Sequence, residues 1–240
     1  MHLGLLTLGF LLGMRHALET DHVAAVASLA TRSRGIGDTV LQGAVWGLGH
    51  TLTLFLFGSV VLLMDAVMPE RLANGLELAV GVMLIVLGLD VLRRVRRRHL
   101  HCHVHRHADG TLHWHAHAHA PDEAHGFLHH HEHAAAQRGF PVRALLVGLM
   151  HGMAGSAALI LLTLQTVHSV WLGMLYMALF GIGSIAGMAS LSVVIAIPLR
   201  FSATRLAGMH RLLQIAVGLA TLAVGSMTLI EIGWLHGLTA

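Results

Sequence analysis

Between Val142 and Leu199 only one residue, Arg143, carries a formal charge. A run of that length cannot form the surface of a water-soluble domain. In lipid, every backbone N–H and C=O must be bonded within the protein, which leaves helices to span the bilayer. Composition agrees, with 11% charged residues among 240, against roughly 25% in soluble domains. Six stretches can cross a ~30 Å hydrocarbon core at ~1.5 Å per residue. They are Leu3–Leu29, Val40–Met64, Leu72–Leu92, Val142–Val167, Val170–Leu199 and Leu212–Trp234. The opening residues lack a basic leader region and a small-residue cleavage site, so they read as the first span and not as a signal peptide. The expected fold class is an all-α polytopic membrane protein with six transmembrane helices.

All 15 basic residues are arginine, and thirteen of them fall in the loops after the first, third and fifth spans. The other side has Arg71, flanked by Asp65 and Glu70. The positive-inside rule then puts both termini outside and the long central loop in the cytoplasm, across a bacterial cytoplasmic membrane. The same placement accounts for the basic charge without nucleic acid. A single cysteine, Cys102, excludes an internal disulfide framework and agrees with a reducing compartment.

The two halves align at a shift of about 135 residues. Gly13-Met14-Arg15-His16 matches Gly148-Leu149-Met150-His151, and Trp46-Gly47-Leu48-Gly49-His50 matches Phe180-Gly181-Ile182-Gly183-Ser184. Leu76 to Gly81 matches Leu213 to Gly218. A repeat of three spans must re-enter from the opposite side, giving a 3+3 inverted repeat, an architecture of secondary transporters with a site near the midplane. The expected divisions are residues 1–92 and 142–240 for the two repeats, and 93–141 for the Arg/His-rich loop.

Ionisable groups at membrane depth cost several kcal/mol unless paired or hydrated, so their default reading is functional. The densest cluster runs from Arg15 through His16, Glu19, Thr20 and Asp21 to His22. Two imidazoles and two carboxylates suit Ni²⁺, Co²⁺, Zn²⁺ or Fe²⁺ better than Ca²⁺ or Cu⁺. On an unbroken helix, Asp21 lies about 140° from His16 and His22 about 120° the other way. Either the helix unwinds here or the residues serve two shells around one ion. Arg15 is expected to neutralise Glu19 or Asp21. His50, after a Gly-x-Gly that admits a close neighbour, and His151, the counterpart of His16, are further candidate ligands. The second half lacks carboxylates at the counterpart of Glu19-Thr20-Asp21, where Ala154-Gly155-Ser156 stands, and offers Ser156 and Ser184 instead. Met14, Met150, Met153 and Met188 read as packing.

Residues His99 to His133 contain fourteen histidines, mostly alternating with other residues. This segment, with no apolar core of its own, is expected to be unstructured without metal and to store, sense or hand over ions. Its candidate auxiliary ligands are His101, Cys102, His103, His105, His113, His115, His117 and His119. His2, beside the amino terminus, is another.

The stretch Arg15-His16-Ala17-Leu18-Glu19-Thr20-Asp21-His22 resembles the R-H-A-x-D-A-D-H signature of the nickel/cobalt transporter family, and Leu48-Gly49-His50-Thr51 resembles its L-G-H-S element. Glu19 stands where that signature has its first Asp, a later D-T-A-T-E-type element is absent, and six spans replace eight. This is similar to a shorter, urease-accessory-like or efflux-like branch. The resemblance implies a metal role for His16, Asp21, His22 and His50. The expected function is a permease for Ni²⁺ or Co²⁺, with Zn²⁺ also chemically possible, no prosthetic group, and cytoplasmic nickel chaperones as partners. Uptake is favoured over a metal/proton efflux antiporter and over membrane-anchored storage or sensing. No H-E-x-x-H and no set of histidine boxes is present, which argues against an intramembrane metalloenzyme.

Overall fold

The computed structural model describes residues 2–33, 35–64, 69–97, 100–106, 112–118, 140–152, 169–205 and 207–237. Its helices are α1 (His2–His16), α2 (Thr20–Ala30), α3 (Ile36–Met64), α4 (Glu70–Arg97), α5 (Val142–His151), α6 (Val170–Arg205) and α7 (Ala207–Gly237). Among the described residues four helices, α3, α4, α6 and α7, are long and apolar enough to cross a membrane. They correspond to the expected second, third, fifth and sixth spans, each running some residues further.

The first expected span is two helices. α1 stops at His16, the chain turns over Ala17–Glu19, and α2 restarts at Thr20. No proline or glycine lies in the turn. The amides of Leu18 and Glu19 bond the carbonyls of Arg15 and His16, and Glu19 is extended, with φ −61° and ψ 146°. α5 accounts for the first part of the expected fourth span, whose remainder beyond Gly152 lies outside the described residues.

The histidine-rich loop departs from expectation. β1 (Leu100–Arg106) pairs antiparallel with β2 (Leu112–Ala118). Alternation of histidine with Leu, Cys, Val, Trp and Ala is a period-two pattern, which favours a strand even where composition suggests disorder.

Glycines set the helix crossings. α1 meets α6 where Gly13 lies against the Phe180 carbonyl and Gly183 against that of Phe10. α5 meets α3 where Gly148 lies against the Trp46 carbonyl and a Cβ on Gly49 would come 2.6 Å from the Leu145 oxygen. Along the α4–α7 contact, a Cβ on Gly88 would sit 2.8 Å from the Gly218 oxygen, and one on Gly225 would sit 2.7 Å from that of Gly81. Small residues let backbones approach this closely in membranes. The α1–α6 and α5–α3 crossings correspond under the sequence alignment: Gly13 against Phe180 matches Gly148 against Trp46, and Gly183 against Phe10 matches Gly49 against Leu145. The buried core around them includes Ala25, Val26, Trp46, Leu84, Val147 and Met188.

Candidate metal centre

The break between α1 and α2 resolves the angular conflict of an unbroken helix. His16 closes α1, His22 sits in the first turn of α2, His50 lies along α3 and His151 closes α5. All four are buried, at 5%, 2%, 0% and 1% exposure in that order. Ring centroids lie 4.3 Å apart for His16–His22, 4.4 Å for His22–His151, 5.0 Å for His16–His50 and 5.1 Å for His22–His50. Aromatic rings wall the cluster: Phe180 lies 5.4 Å from His16 and Trp46 5.5 Å from His151. The two contacts correspond under the alignment, which equates Phe180 with Trp46 and His16 with His151.

Carboxylates orient the rings. Glu19 Oε1 lies 2.8 Å from His16 Nδ1, and Asp21 Oδ1 lies 2.8 Å from His22 Nδ1. An ionised carboxylate only accepts, so both Nδ1 atoms carry the proton and both Nε2 atoms present a lone pair. Asp21 also accepts the His22 backbone N–H at 2.9 Å, and its Oδ2 accepts from His151 Nε2 at 2.8 Å. The Nε2 atoms of His16 and His50 are 3.1 Å apart. Two nitrogens bound to one ion at ~2.1 Å also stand about 3 Å apart, so little ring movement is needed to load this pair. His22 Nε2, His50 Nδ1 and His151 Nδ1 are buried without a protein partner. Leaving such an atom unsatisfied costs about 1–3 kcal/mol, which a cation or water occupying the centre would offset.

Two groups could each hold an ion, His16 with His22 and His50, and Asp21 with His22 and His151; within each group the ligand atoms lie within 4.8 Å of one another. The sequence-derived set of His16, Glu19, Asp21, His22, His50 and His151 is thus brought together. Its carboxylates sit at the edge, with Glu19 45% and Asp21 32% exposed at the side chain. Arg15 is exposed and makes no ion pair among the described residues, so the expected neutralisation of Glu19 or Asp21 is corrected: those carboxylates are engaged by histidine. Ser184 is buried beside Met188, its hydroxyl 4.0 Å from the sulfur, while Met150 is exposed. Ser156, Met153 and His119 lie outside the described residues. His2 opens α1, and His101, Cys102, His103 and His105 lie on β1, with His113, His115 and His117 on β2.

Sequence reasoning missed one cluster. Asp90 on α4 binds Arg32, just past α2, at 2.7 Å, Arg143 of α5 at 3.0 Å and Arg94 at 3.3 Å. The available signal was an acid near the end of an apolar span, four residues before Arg94.

Over 239 residues the chain is 34% identical to the urease accessory protein UreH of Bacillus sp. (strain TB-90), covering 98% of this chain and 95% of that one. Over 101 residues it is 31% identical to a protein named "Putative nickel/cobalt efflux system" in Methanocaldococcus jannaschii, covering 40% of this chain and 45% of that one. Neither name is that of an enzyme. No family model matches the chain, and no solved structure matches it. With UreH matched across nearly the full length of both chains, and with the histidine signature and the metal-transport relative in accord, the chain belongs to the nickel/cobalt transporter family, on its urease-accessory-like branch.

Proposed function

We propose that the protein is a secondary transporter that carries Ni²⁺ or Co²⁺ through the imidazole centre. The observation that carries this reading is the meeting of four buried histidines at a broken helix, with nitrogens left unpartnered. His16, His22 and His50 bind the ion through imidazole nitrogen. Glu19 and Asp21 hold His16 and His22 in the required tautomer, and His151 with Asp21 forms a second station sharing His22. Such carboxylate partners typically contribute 10–100-fold in metal affinity. Asp21→Asn is therefore expected to weaken nickel binding more than Glu19→Gln, because Asp21 orients two histidines and Glu19 one. Equal losses in a titration of the purified protein would reject that division of roles.

The architecture we assign is six spans in a 3+3 inverted repeat, over residues 1–92 and 142–240 with the 93–141 loop between. The equivalent glycine crossings and the Trp46–His151 and Phe180–His16 contacts support it. The arginine distribution supports a bacterial cytoplasmic membrane, termini outside and the loop in the cytoplasm, where it passes ions to nickel chaperones. Asp90 then clasps the cytoplasmic ends of α2 and α5, the elements that carry His22 and His151. Asp90→Asn is expected to loosen this closure. It should increase labelling of a Ser33→Cys reporter in a Cys102→Ser background, and unchanged labelling would discount the clasp.

Uptake is the direction we assign. A membrane potential contributes about 2.3 kcal/mol per charge per 100 mV, and a divalent ion gains twice that. The efflux wording of the archaeal relative favours metal/proton exchange as the second reading. Radioactive ⁶³Ni²⁺ flux into proteoliposomes decides both points. Wild type and a variant lacking residues 99–133 should transport, and His16→Ala should lose most of that flux. Drive by an imposed potential supports uptake, and drive by a proton gradient supports exchange. Indifference to His16→Ala would overturn the permease.

A further inference from the structure

Where α2 and α6 end and α3 and α7 begin, the chain surrounds a cavity of about 460 Å³ that shares no residue with the imidazole centre. Both halves of the chain build it: Arg32, Ser33 and Thr39 come from the first, Arg200, His210 and Gln214 from the second. The volume is that of a small-molecule pocket, and no aspartate or glutamate lines it. Two guanidiniums do. Arg32 shares Asp90 with Arg94 and Arg143, so three cations meet one carboxylate and the group keeps two positive charges in excess. The polar groups in the wall are under-used. Gln214 is 7% exposed, and its amide makes no hydrogen bond among the described residues. The Ser33 hydroxyl is buried without a partner. His210 bonds through Nδ1 alone, to the Leu199 carbonyl at 3.0 Å and the Ser202 hydroxyl at 3.1 Å. A carbonyl only accepts, so Nδ1 carries the proton, and Nε2 keeps a lone pair or takes a second proton. Thr39, by contrast, already donates to the Gly35 carbonyl at 3.0 Å.

A buried amide and hydroxyl without partners are costly unless a ligand or water serves them. Two guanidiniums with no carboxylate between them make that ligand an anion. We infer that the cavity is a phosphate-binding site, with Arg32 and Arg200 supplying charge and Gln214 and Ser33 donating hydrogen bonds. His210 Nε2 accepts a P–OH or, once protonated, donates to a phosphate oxygen. Guanidinium forks match phosphate oxygens in charge and geometry. Arg32 meets both Asp90 oxygens through a single terminal nitrogen, which leaves further N–H groups for a ligand. Basic pockets between helix ends at a membrane surface hold phospholipid headgroups, and free inorganic phosphate offers the same chemistry. Bound there, a phosphate joins the α2–α3 connection to the α6–α7 connection and so ties the two halves together at one end of the bundle.

The test uses the full-length protein, delipidated in a maltoside detergent, and two probes. Radioactive inorganic phosphate is followed by equilibrium dialysis, and dioctanoyl phosphatidylglycerol by native mass spectrometry, with dioctanoylglycerol as the control that lacks phosphate. Wild type should bind at least one probe saturably and leave the control unbound. Binding of phosphate that competes with the lipid identifies the free ion as a ligand; lipid binding that phosphate does not displace identifies the headgroup. Binding of neither probe overturns the site, and so does equal binding of the control. Gln214→Leu should lower affinity about 10-fold, the usual loss when a bond to a charged partner is removed. Gln214→Glu, nearly the same shape but anionic, should lower it at least as far. Ser33→Ala should also weaken binding, and it carries the test with Gln214→Glu if the leucine variant melts early. Wild-type affinity in all three variants overturns the proposal. So does a calorimetric titration in which Gln214→Glu gains Ni²⁺ binding and keeps its phosphate affinity, which would assign the cavity to cations. Since the two sites have no residue in common, neither result bears on the permease.

Discussion

Exchange of His22 for alanine is expected to lower nickel flux in proteoliposomes by more than about 100-fold, the largest loss of any single histidine. Removing a residue that only orients a ligand typically costs 10–100-fold in affinity. His22 belongs to both ligand groups, so its loss opens each of them at once. It also removes the ring N–H that Asp21 Oδ1 accepts, leaving that oxygen only the backbone amide of residue 22. His16→Ala and His50→Ala each disable one group and should follow. His151→Ala should cost least, since the His16, His22 and His50 group stays intact. Flux per folded protein, normalised by melting temperature and monodisperse yield, gives the ranking. If His151→Ala costs more than His22→Ala, the centre is organised around Asp21 and α5, and the shared role of His22 is wrong.

The second large effect concerns assembly. Gly13→Val and Gly148→Val should each sharply reduce the yield of folded protein, because the new side chain would overlap a carbonyl of the neighbouring helix. Overpacking usually costs about 1–3 kcal/mol, and more when the obstructing atom is backbone that cannot change rotamer. Gly75 on α4 is the control: it is exposed, and a Cβ there meets nothing within 4 Å. Gly75→Ala should leave the protein as stable or raise its stability by about 0.5–1 kcal/mol, the usual helical gain over glycine. Melting curves and size-exclusion profiles in detergent compare the three. Normal folding of Gly13→Val would mean that α1 and α6 do not cross there.

The sequence revealed most of this arrangement where polarity contradicted its surroundings. His16, His22, His50 and His151 were recognisable because imidazoles are costly among lipid-facing residues, and the helical angles of Asp21 and His22 already required a break or a second shell. The position of the break was not legible. Ala17, Leu18 and Glu19 include no helix-breaking residue, and the turn carries a local bond from the His16 ring N–H to Glu19, three residues on. Arg15 misled because proximity in sequence suggested an ion pair, whereas the carboxylates turn toward the rings. The Arg32 and Arg143 partners of Asp90 lie 58 and 53 residues away, a distance that periodicity cannot bridge. In the loop, histidine content masked the alternation that makes strands.

Where helices end also matters for charge. α1 terminates at His16 and α5 at His151, so two carboxyl-terminal helix ends meet at the centre. Each such end carries a partial charge of roughly −0.5 from its unsatisfied carbonyls, while the opposite end of α2 contributes about +0.5 close to Asp21. The end of α5 therefore offers a field that welcomes a divalent cation from the half of the chain whose side chains bring no carboxylate to the centre. Selectivity for positive charge is built into where the helices stop, and swapping individual side chains leaves that preference in place.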